Sequence, residues 1–187
     1  AIPHPMAMVT NKKTHLFQSN VSHYEMMRDL NRQWRQWTID EPAVFITFNG
    51  MSYDEELIRR QFYWNLFESY LTNTNGNSRL DILLMMHNVA AFFPDLLNIP
   101  LYKDGPAISL KQADIAEANG IEIGDAHDAI ADCKLMISLL EIINNQKPEL
   151  IDFFLSISSK PGVQAAVQQP GFLGLGEVFR REVFKYP

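Results

Sequence analysis

The segment AVFITF, residues 43–48, has the composition of a buried β-strand. It is short, β-branched and aromatic, with Pro42 before it and the turn-forming pair Asn49-Gly50 after it. It is the only strongly predicted strand of the chain, and a weaker one is predicted over residues 6–9. One strong strand among helical segments predicts a helix-rich α/β fold with a small sheet.

The other periodic segments are predicted helices. From Ser19 onward, apolar residues recur at spacings of three and four, which predicts a first helix. Ser52 and Glu55 have the spacing of a capping box, so a second helix is predicted from there to about residue 70. Further helices are predicted over residues 79–93, 108–120, 125–145 and 148–158. Glycine and proline punctuate the chain after Lys160, which is typical of a linker.

Composition restricts the possible partners and the compartment. The 187 residues suit one domain with a sizeable core, and 16 basic against 22 acidic residues give a net charge of -6. Any nucleic-acid partner would therefore need a local basic patch. The single cysteine, Cys133, excludes an internal disulfide framework and a cysteine-built zinc site. With neither a membrane-spanning apolar run nor the pattern of a signal peptide, we expect a cytoplasmic protein.

Two carboxylates stand out by position. Asp54 lies in the first turn of a predicted helix, just after the strand, where the helix dipole by itself would explain an acidic residue. Asp132 lies on an apolar stripe of the helix predicted over 125–145, together with Met136 and Leu139. A buried carboxylate needs a cation, a hydrogen-bond donor or a metal ion. The pattern leaves structural and functional readings of Asp132 equally open.

Two motifs resemble those of a nuclease family. The phrase FNGMSYDEE is similar to the second motif of the DEDDh exonucleases. The phrase NGIEIGDAHDAIADC, with His127 five residues before Asp132, is similar to their third motif. Longer phrases, NSRLDILLMMHNVAAFFPD and KPELIDFFLS among them, resemble the exonuclease domain of the bacterial exonuclease I family. The resemblance implies a partial exonuclease domain over residues 1–159, followed over 160–187 by a linker or the start of an SH3-like domain.

The resemblance also implies an activity and a site. That family has an RNase H-like fold and uses a pair of divalent ions, Mg²⁺ or Mn²⁺, to degrade single-stranded DNA from its 3′ end to mononucleotides in repair and recombination. By position, Asp54 and Asp132 correspond to metal ligands and His127 to the general base. These residue types fit the chemistry, because Mg²⁺ prefers carboxylate oxygen and imidazole titrates near neutral pH.

The first motif of the family, an Asp-x-Glu on a leading strand, has no counterpart here. The only literal match is Asp54-Glu55-Glu56, in a helical turn where alternate side chains diverge by roughly 200°. We therefore expect a fold without its first strands, no ordered two-metal site and negligible nuclease activity from these residues alone. We also expect self-association through an exposed sheet edge. The alternatives are a non-catalytic nucleic-acid-binding or interaction module of the same fold, and a relative that acts on RNA.

Aromatic and basic residues alternate in the first two predicted helices. They could form base-stacking platforms beside a basic groove, but their helical spacing favours burial in the core. The set consists of Trp34, Trp37, Tyr63, Trp64 and Tyr70 with Arg32, Arg35, Arg59 and Arg60.

Overall fold

The computed structural model describes residue 6 and residues 20–103, 105–123, 129–171 and 173–187. His127 and, apart from residue 6, the strand predicted over 6–9 lie outside the described residues. The described helices are α1 (His23–Trp37), α2 (Asp54–Trp64), α3 (Ile82–Phe92), α4 (Gln112–Ala118), α5 (Ala129–Gln146), α6 (Pro148–Ser156) and α7 (Lys160–Gln168). The strands are β1 (Val44–Thr47), β2 (Ser78–Asp81), β3 (Leu175–Phe179) and β4 (Glu182–Tyr186).

The predicted strand pairs with a second strand that the sequence analysis assigned to a helix. β1 and β2 are parallel, with Val44 opposite Ser78 and Thr47 opposite Asp81. The helix predicted over 79–93 therefore begins only at Ile82. The prediction that the 43–48 strand is buried was also wrong, because Val44 is exposed and the rest of β1 is only half-buried.

The main hydrophobic core joins this small sheet to the helices behind it. Side chains from β2, α3, α4, α5 and α6 form one cluster, and Ile46 and Phe48 of the β1 segment pack against it. A smaller cluster lies between α1 and α2. The fully buried members of the main core are Ile82, Met85, Met86, Val89, Ile115, Leu139 and Ile143. The apolar faces of α3 and α5 therefore hold the small sheet in place. The candidate site lies at the end of this sheet.

The helix start signals differ from those predicted. α2 has Tyr53 at its N-cap with no side-chain hydrogen bond, and it ends at Trp64 rather than near residue 70. The capping box that the structure contains lies in α1, where Ser22 Oγ accepts from the Glu25 backbone N–H and Glu25 accepts from the Ser22 N–H. The Ser52–Glu55 box was therefore a wrong prediction, because Ser52 belongs to a separate 3₁₀ turn.

Regular structure continues after residue 159. α7 is followed by an antiparallel hairpin of β3 and β4, which packs on α3. The Gly176 N–H donates to Asn88 Oδ1 at 2.9 Å, and the Val178 N–H donates to His87 Nδ1 at 3.3 Å. A side chain at Gly176 would lie 2.6 Å from the Ala91 Cβ, so glycine permits this close approach. The domain boundary at 159/160 stays a prediction.

The contact between His87 and the hairpin makes the free energy of unfolding pH-dependent. Burial lowers the pKa of His87, and the nearby carboxylates of Glu177 and Asp81 act in the opposite direction. The unfolded chain then binds a proton more readily than the folded chain, so the free energy of unfolding should fall as the pH drops below about 6.5. A protonated ring also cannot accept the Val178 hydrogen bond.

Urea unfolding at roughly pH 7.5 and 5.5, on either side of the histidine range, measures this loss. The matched variant is His87→Gln, whose amide oxygen can accept the same hydrogen bond without titrating. An equal pH response in the two proteins would contradict the assignment to His87.

Candidate active site

Asp54 lies directly after a tight turn at the carboxyl end of β1. Asn49 has a left-handed backbone (φ 61°), and residues Gly50–Ser52 form a 3₁₀ turn. A Cβ on Gly50 would lie 2.3 Å from the Thr47 Cβ, so this turn requires glycine. The Asp54 side chain is exposed, and its carboxylate has no hydrogen bond or ion pair with any described residue. It is free to bind a ligand.

Asp81 joins this turn to the end of β2. Its side chain is only 3% exposed. One carboxylate oxygen accepts from the Asn49 N–H at 2.7 Å and the Leu83 N–H at 3.0 Å, and the other accepts from the Met51 N–H at 3.1 Å. Sequence reasoning missed this residue because it assigned Asp81 to a helix interior, although an Asp before an apolar helix is a recognisable N-cap signal.

The two acidic residues after Asp54 pair with side chains rather than with the free N–H groups at the start of the helix. Glu55 is buried, where its carboxylate accepts from Thr72 Oγ1 at 3.1 Å and pairs with Arg79 at 3.0 Å. Glu56 pairs with Arg60 and Arg59, and these hydrogen bonds hold the pKa of Glu56 below its usual value. Of the three consecutive acids, only Asp54 has no cationic partner in the part of the chain that the structure describes.

Asp132 is exposed, so the prediction that it is a buried carboxylate was wrong. The buried stripe of α5 begins one turn later, at Leu135, because the core does not extend to the start of the helix. Cys133 is exposed for the same reason. The Asp132 backbone carbonyl accepts from the Gln112 side-chain amide at 2.5 Å, while its carboxylate has no partner in the described part of the chain.

A pocket of about 480 Å³ lies beside the exit of β1, whereas Asp54 itself lines a separate pocket of about 140 Å³. Phe48 and Asn49, at the exit of β1, line the larger pocket together with Gln112, which holds the start of α5. No three His, Cys, Asp or Glu side chains converge as a metal site among the described residues. The grouping of Asp54, Asp132 and His127 therefore stays a prediction.

The aromatic residues of α1 and α2 divide between core and surface. Trp34 packs against Phe45 and Phe62, with ring centroids 5.1 and 5.7 Å apart, as predicted for a core residue. The same prediction was wrong for Trp37, Tyr63, Trp64 and Tyr70, which are 64%, 70%, 67% and 48% exposed. The cluster between these helices is too small to cover more than one face of each.

The arginines near these aromatic residues are paired with acids. Arg32 pairs with Asp29, Arg35 with Glu68, and Arg59 and Arg60 with Glu56. This face therefore does not form a free basic groove.

The sequence of the chain is similar to parts of known exonucleases. No family model matches it. Exodeoxyribonuclease I of Escherichia coli K12 is 32% identical over 136 residues, which are 72% of this chain and 28% of that protein. Exodeoxyribonuclease I of Haemophilus influenzae is 34% identical over 122 residues, 64% of this chain and 25% of that protein. Over these residues the chain is similar to a part of exodeoxyribonuclease I. It spans less than a third of the length of these curated relatives.

Solved structures agree with the sequence comparison. E. coli exonuclease I in complex with a dT13 oligonucleotide matches with a TM-score of 0.76 and 25% identity, over 88% of this chain and 35% of that one. An ExoI/SSB-Ct complex matches with a TM-score of 0.77 and 24% identity, over 96% and 38%. The fold is thus the RNase H-like nuclease fold of exodeoxyribonuclease I, which confirms the predicted fold class and the resemblance.

Among the described helices, none is long and apolar enough to cross a bilayer.

Proposed function

We propose that this chain is part of a metal-dependent 3′-to-5′ exonuclease domain that hydrolyses single-stranded DNA to mononucleotides in DNA repair or recombination. Homology to exodeoxyribonuclease I supports the activity. The structural observation that carries the proposal is the exposed Asp54 carboxylate, which has no partner among the described residues and directly follows a turn that Asp81 holds with two backbone hydrogen bonds. A carboxylate that is positioned by its neighbours and left free of protein donors is suited to binding a ligand.

Asp54 and Asp132 are the proposed ligands of the divalent ions, Mg²⁺ or Mn²⁺. Both carboxylates are exposed and free in the described part of the chain, unlike those of Glu55 and Asp81, which protein donors already occupy. This donor set fits a hard cation, which prefers carboxylate oxygen. When bound, such ions stabilise negative charge on the attacking and leaving oxygens of a phosphodiester. His127 is the proposed acceptor of the proton from the attacking water.

The substrate proposal follows the relatives. The E. coli enzyme has been crystallised with dT13 and dA16 oligonucleotides and as a zinc-bound complex with single-stranded DNA. For this chain we infer the same substrate class. A cytoplasmic location is inferred from its lone, unpaired Cys133, which is typical of a reducing compartment.

The decisive experiment is a digestion assay on single-stranded DNA. The 187-residue chain and a fusion that places the leading Asp-x-Glu strand of the E. coli relative before residue 1 are compared with Mg²⁺ and with EDTA. We expect mononucleotide release from the fusion with Mg²⁺ only, and negligible release from the chain alone. A folded fusion that binds DNA without cutting it would favour the second candidate, a non-catalytic module of the same fold. Faster cutting of RNA would contradict the DNA assignment.

Self-association is a further expectation. In the described residues, β1 pairs with β2 only, which leaves its other edge without a strand partner, and Val44 on that strand is 38% exposed. An unpaired edge can add a strand from a second copy. Light scattering at micromolar concentration should show a dimer or larger species, and Val44→Lys should shift it toward the monomer because a charged edge resists pairing. A wild-type chain that is monomeric at this concentration would contradict the proposal.

A further inference from the structure

The sequence contains three Asn-Gly pairs, at residues 49–50, 75–76 and 119–120. Such a pair can react with itself, because glycine has no side chain to keep its backbone nitrogen away from the preceding amide. The glycine nitrogen loses its proton to solvent and attacks the asparagine Cγ. A C–N bond forms as the bond to Nδ2 breaks, and the leaving group takes a proton from solvent and departs as ammonia. Water then opens the resulting succinimide at either carbonyl, which gives aspartate or isoaspartate.

The fold opposes this reaction at Asn119. Its side-chain NH₂ donates to the carbonyls of Asn98 and Ile115 at 2.9 and 2.7 Å, and its side-chain oxygen accepts from the Asn98 N–H at 2.9 Å. The attacking nitrogen is engaged as well, since the Gly120 N–H donates to the Glu117 carbonyl at 3.1 Å. Both reacting groups must therefore be released before they can meet.

The pair at residues 49–50 is held by its backbone. The N–H groups of Asn49 and Met51 donate to the Asp81 carboxylate at 2.7 and 3.1 Å, and Gly50 between them is buried. For the attack, the asparagine backbone must rotate until its side-chain carbon faces the next nitrogen. The hydrogen bonds on either side of the pair oppose that rotation, so this pair also reacts only after local opening.

Asn75 lacks these restraints. Asn75 and Gly76 are exposed, and neither the Asn75 side chain nor the Gly76 N–H has a hydrogen-bond partner among the described residues. Both residues have positive φ, 56° and 86°, as in the central positions of a type I′ turn. In the described chain, one backbone hydrogen bond closes this turn, from the Asn77 N–H to the Thr74 carbonyl at 2.9 Å. Loss of that bond is sufficient to free the pair.

We propose that Asn75 is a modification site, at which the folded chain deamidates spontaneously to aspartate and isoaspartate. The reaction consumes water, releases ammonia and needs no other reactant. Both products add a negative charge to the loop. Isoaspartate also lengthens the main chain by one carbon atom, because the backbone then continues through the former side chain. This inference is independent of the proposed nuclease function.

The loop that contains Asn75 leads into the parallel sheet. The buried Asn77 side chain accepts from the Ala43 N–H at 2.9 Å and donates to the Leu71 carbonyl at 2.8 Å. The Ser78 N–H then donates to the Ala43 carbonyl at 3.0 Å, where the pairing of β1 with β2 begins. A longer main chain in the turn cannot keep both the turn hydrogen bond and the position of Asn77. Isoaspartate should therefore loosen the start of the sheet.

The test is peptide mapping of the 187-residue chain during incubation at mildly alkaline pH, which favours loss of the proton from the attacking nitrogen. Mass spectrometry follows the conversion of amide to acid at each Asn-Gly pair, and electron-transfer fragmentation separates isoaspartate from aspartate. We expect Asn75 to convert at least about tenfold faster than Asn49 and Asn119, since those two react only through local opening. In concentrated urea the three rates should become similar, because only the local sequence then acts.

Hydrogen exchange on the incubated chain tests the consequence for the sheet. The amides of Ala43 and Ser78 should exchange faster in the isoaspartate form, whereas the amide of Lys147, bonded to the Ile143 carbonyl at the end of α5, should be unchanged. Asn75→Asp adds the charge without lengthening the main chain, and freshly prepared it should exchange like the fresh wild-type chain. Asn75→Gly tolerates the positive φ and cannot form the succinimide, so its exchange should not change on incubation.

Two results would overturn the assignment of Asn75. One is a rate at Asn49 or Asn119 that equals or exceeds the rate at Asn75 in the folded chain, and the other is conversion of Asn75 in urea only. Unchanged exchange at Ala43 and Ser78 in the isoaspartate form, or equally fast exchange in fresh Asn75→Asp, would overturn the effect of the longer main chain on the sheet.

Discussion

Asp54→Asn and Asp132→Asn should each abolish the nuclease activity of the fusion that carries the Asp-x-Glu strand. An amide keeps the shape of the carboxylate but removes the negative charge that holds a divalent ion. His127→Ala should leave metal binding largely intact and slow hydrolysis by about 10² to 10⁴, the usual contribution of a positioned proton acceptor. Mononucleotide release under single-turnover conditions measures these losses, and titration with Mn²⁺ separates metal binding from the chemical step.

A suitable control is Asp152→Asn, an exposed aspartate on α6 with the same change in charge. It should digest DNA at the rate of the parent fusion. Full activity in Asp54→Asn or Asp132→Asn would remove that residue from the site, and an unchanged rate in His127→Ala would remove its role as general base.

Asp81→Ala should lower the free energy of unfolding by about 3 kcal/mol, because hydrogen bonds to a charged acceptor are worth roughly 1.5–3 kcal/mol each and part of the loss is recovered from water. Three backbone N–H groups, those of Asn49, Met51 and Leu83, lose their acceptor together. Urea unfolding of the chain and of the variant gives the difference.

Asp81→Asn distinguishes the two roles of this carboxylate. One oxygen suffices for Asn49 and Leu83, whereas the Met51 N–H would face an amide N–H₂ group. We expect a smaller loss of stability than in Asp81→Ala, with faster amide hydrogen exchange confined to the turn before Asp54. Exchange that rises equally throughout α3 would show that Asp81 acts only as a helix cap.

Local sequence was sufficient where neighbouring residues determine the structure. The strand around Ile46 and the turn at Asn49-Gly50 were predicted from adjacent residues, and so was a helix after that turn, although its predicted capping box was wrong. Their physical basis is short-range, since β-branched side chains, a required glycine and the helix start act within a few residues of each other. The motifs that led to Asp54, His127 and Asp132 are likewise short phrases.

Tertiary structure decided what depends on distant partners. β2 is a strand because Ser78–Asp81 pairs with β1, and its four residues contain too little pattern to be distinguished from the start of a helix. Periodicity identified the apolar face of α5 but not where the core along it ends, so Asp132 was expected to be buried and is exposed. The convergence of Lys111 and Arg181, 70 positions apart, on Tyr102 depends on how the β3–β4 hairpin packs against α3. Sequence determines which residues are available, and only long-range packing determines which of them meet.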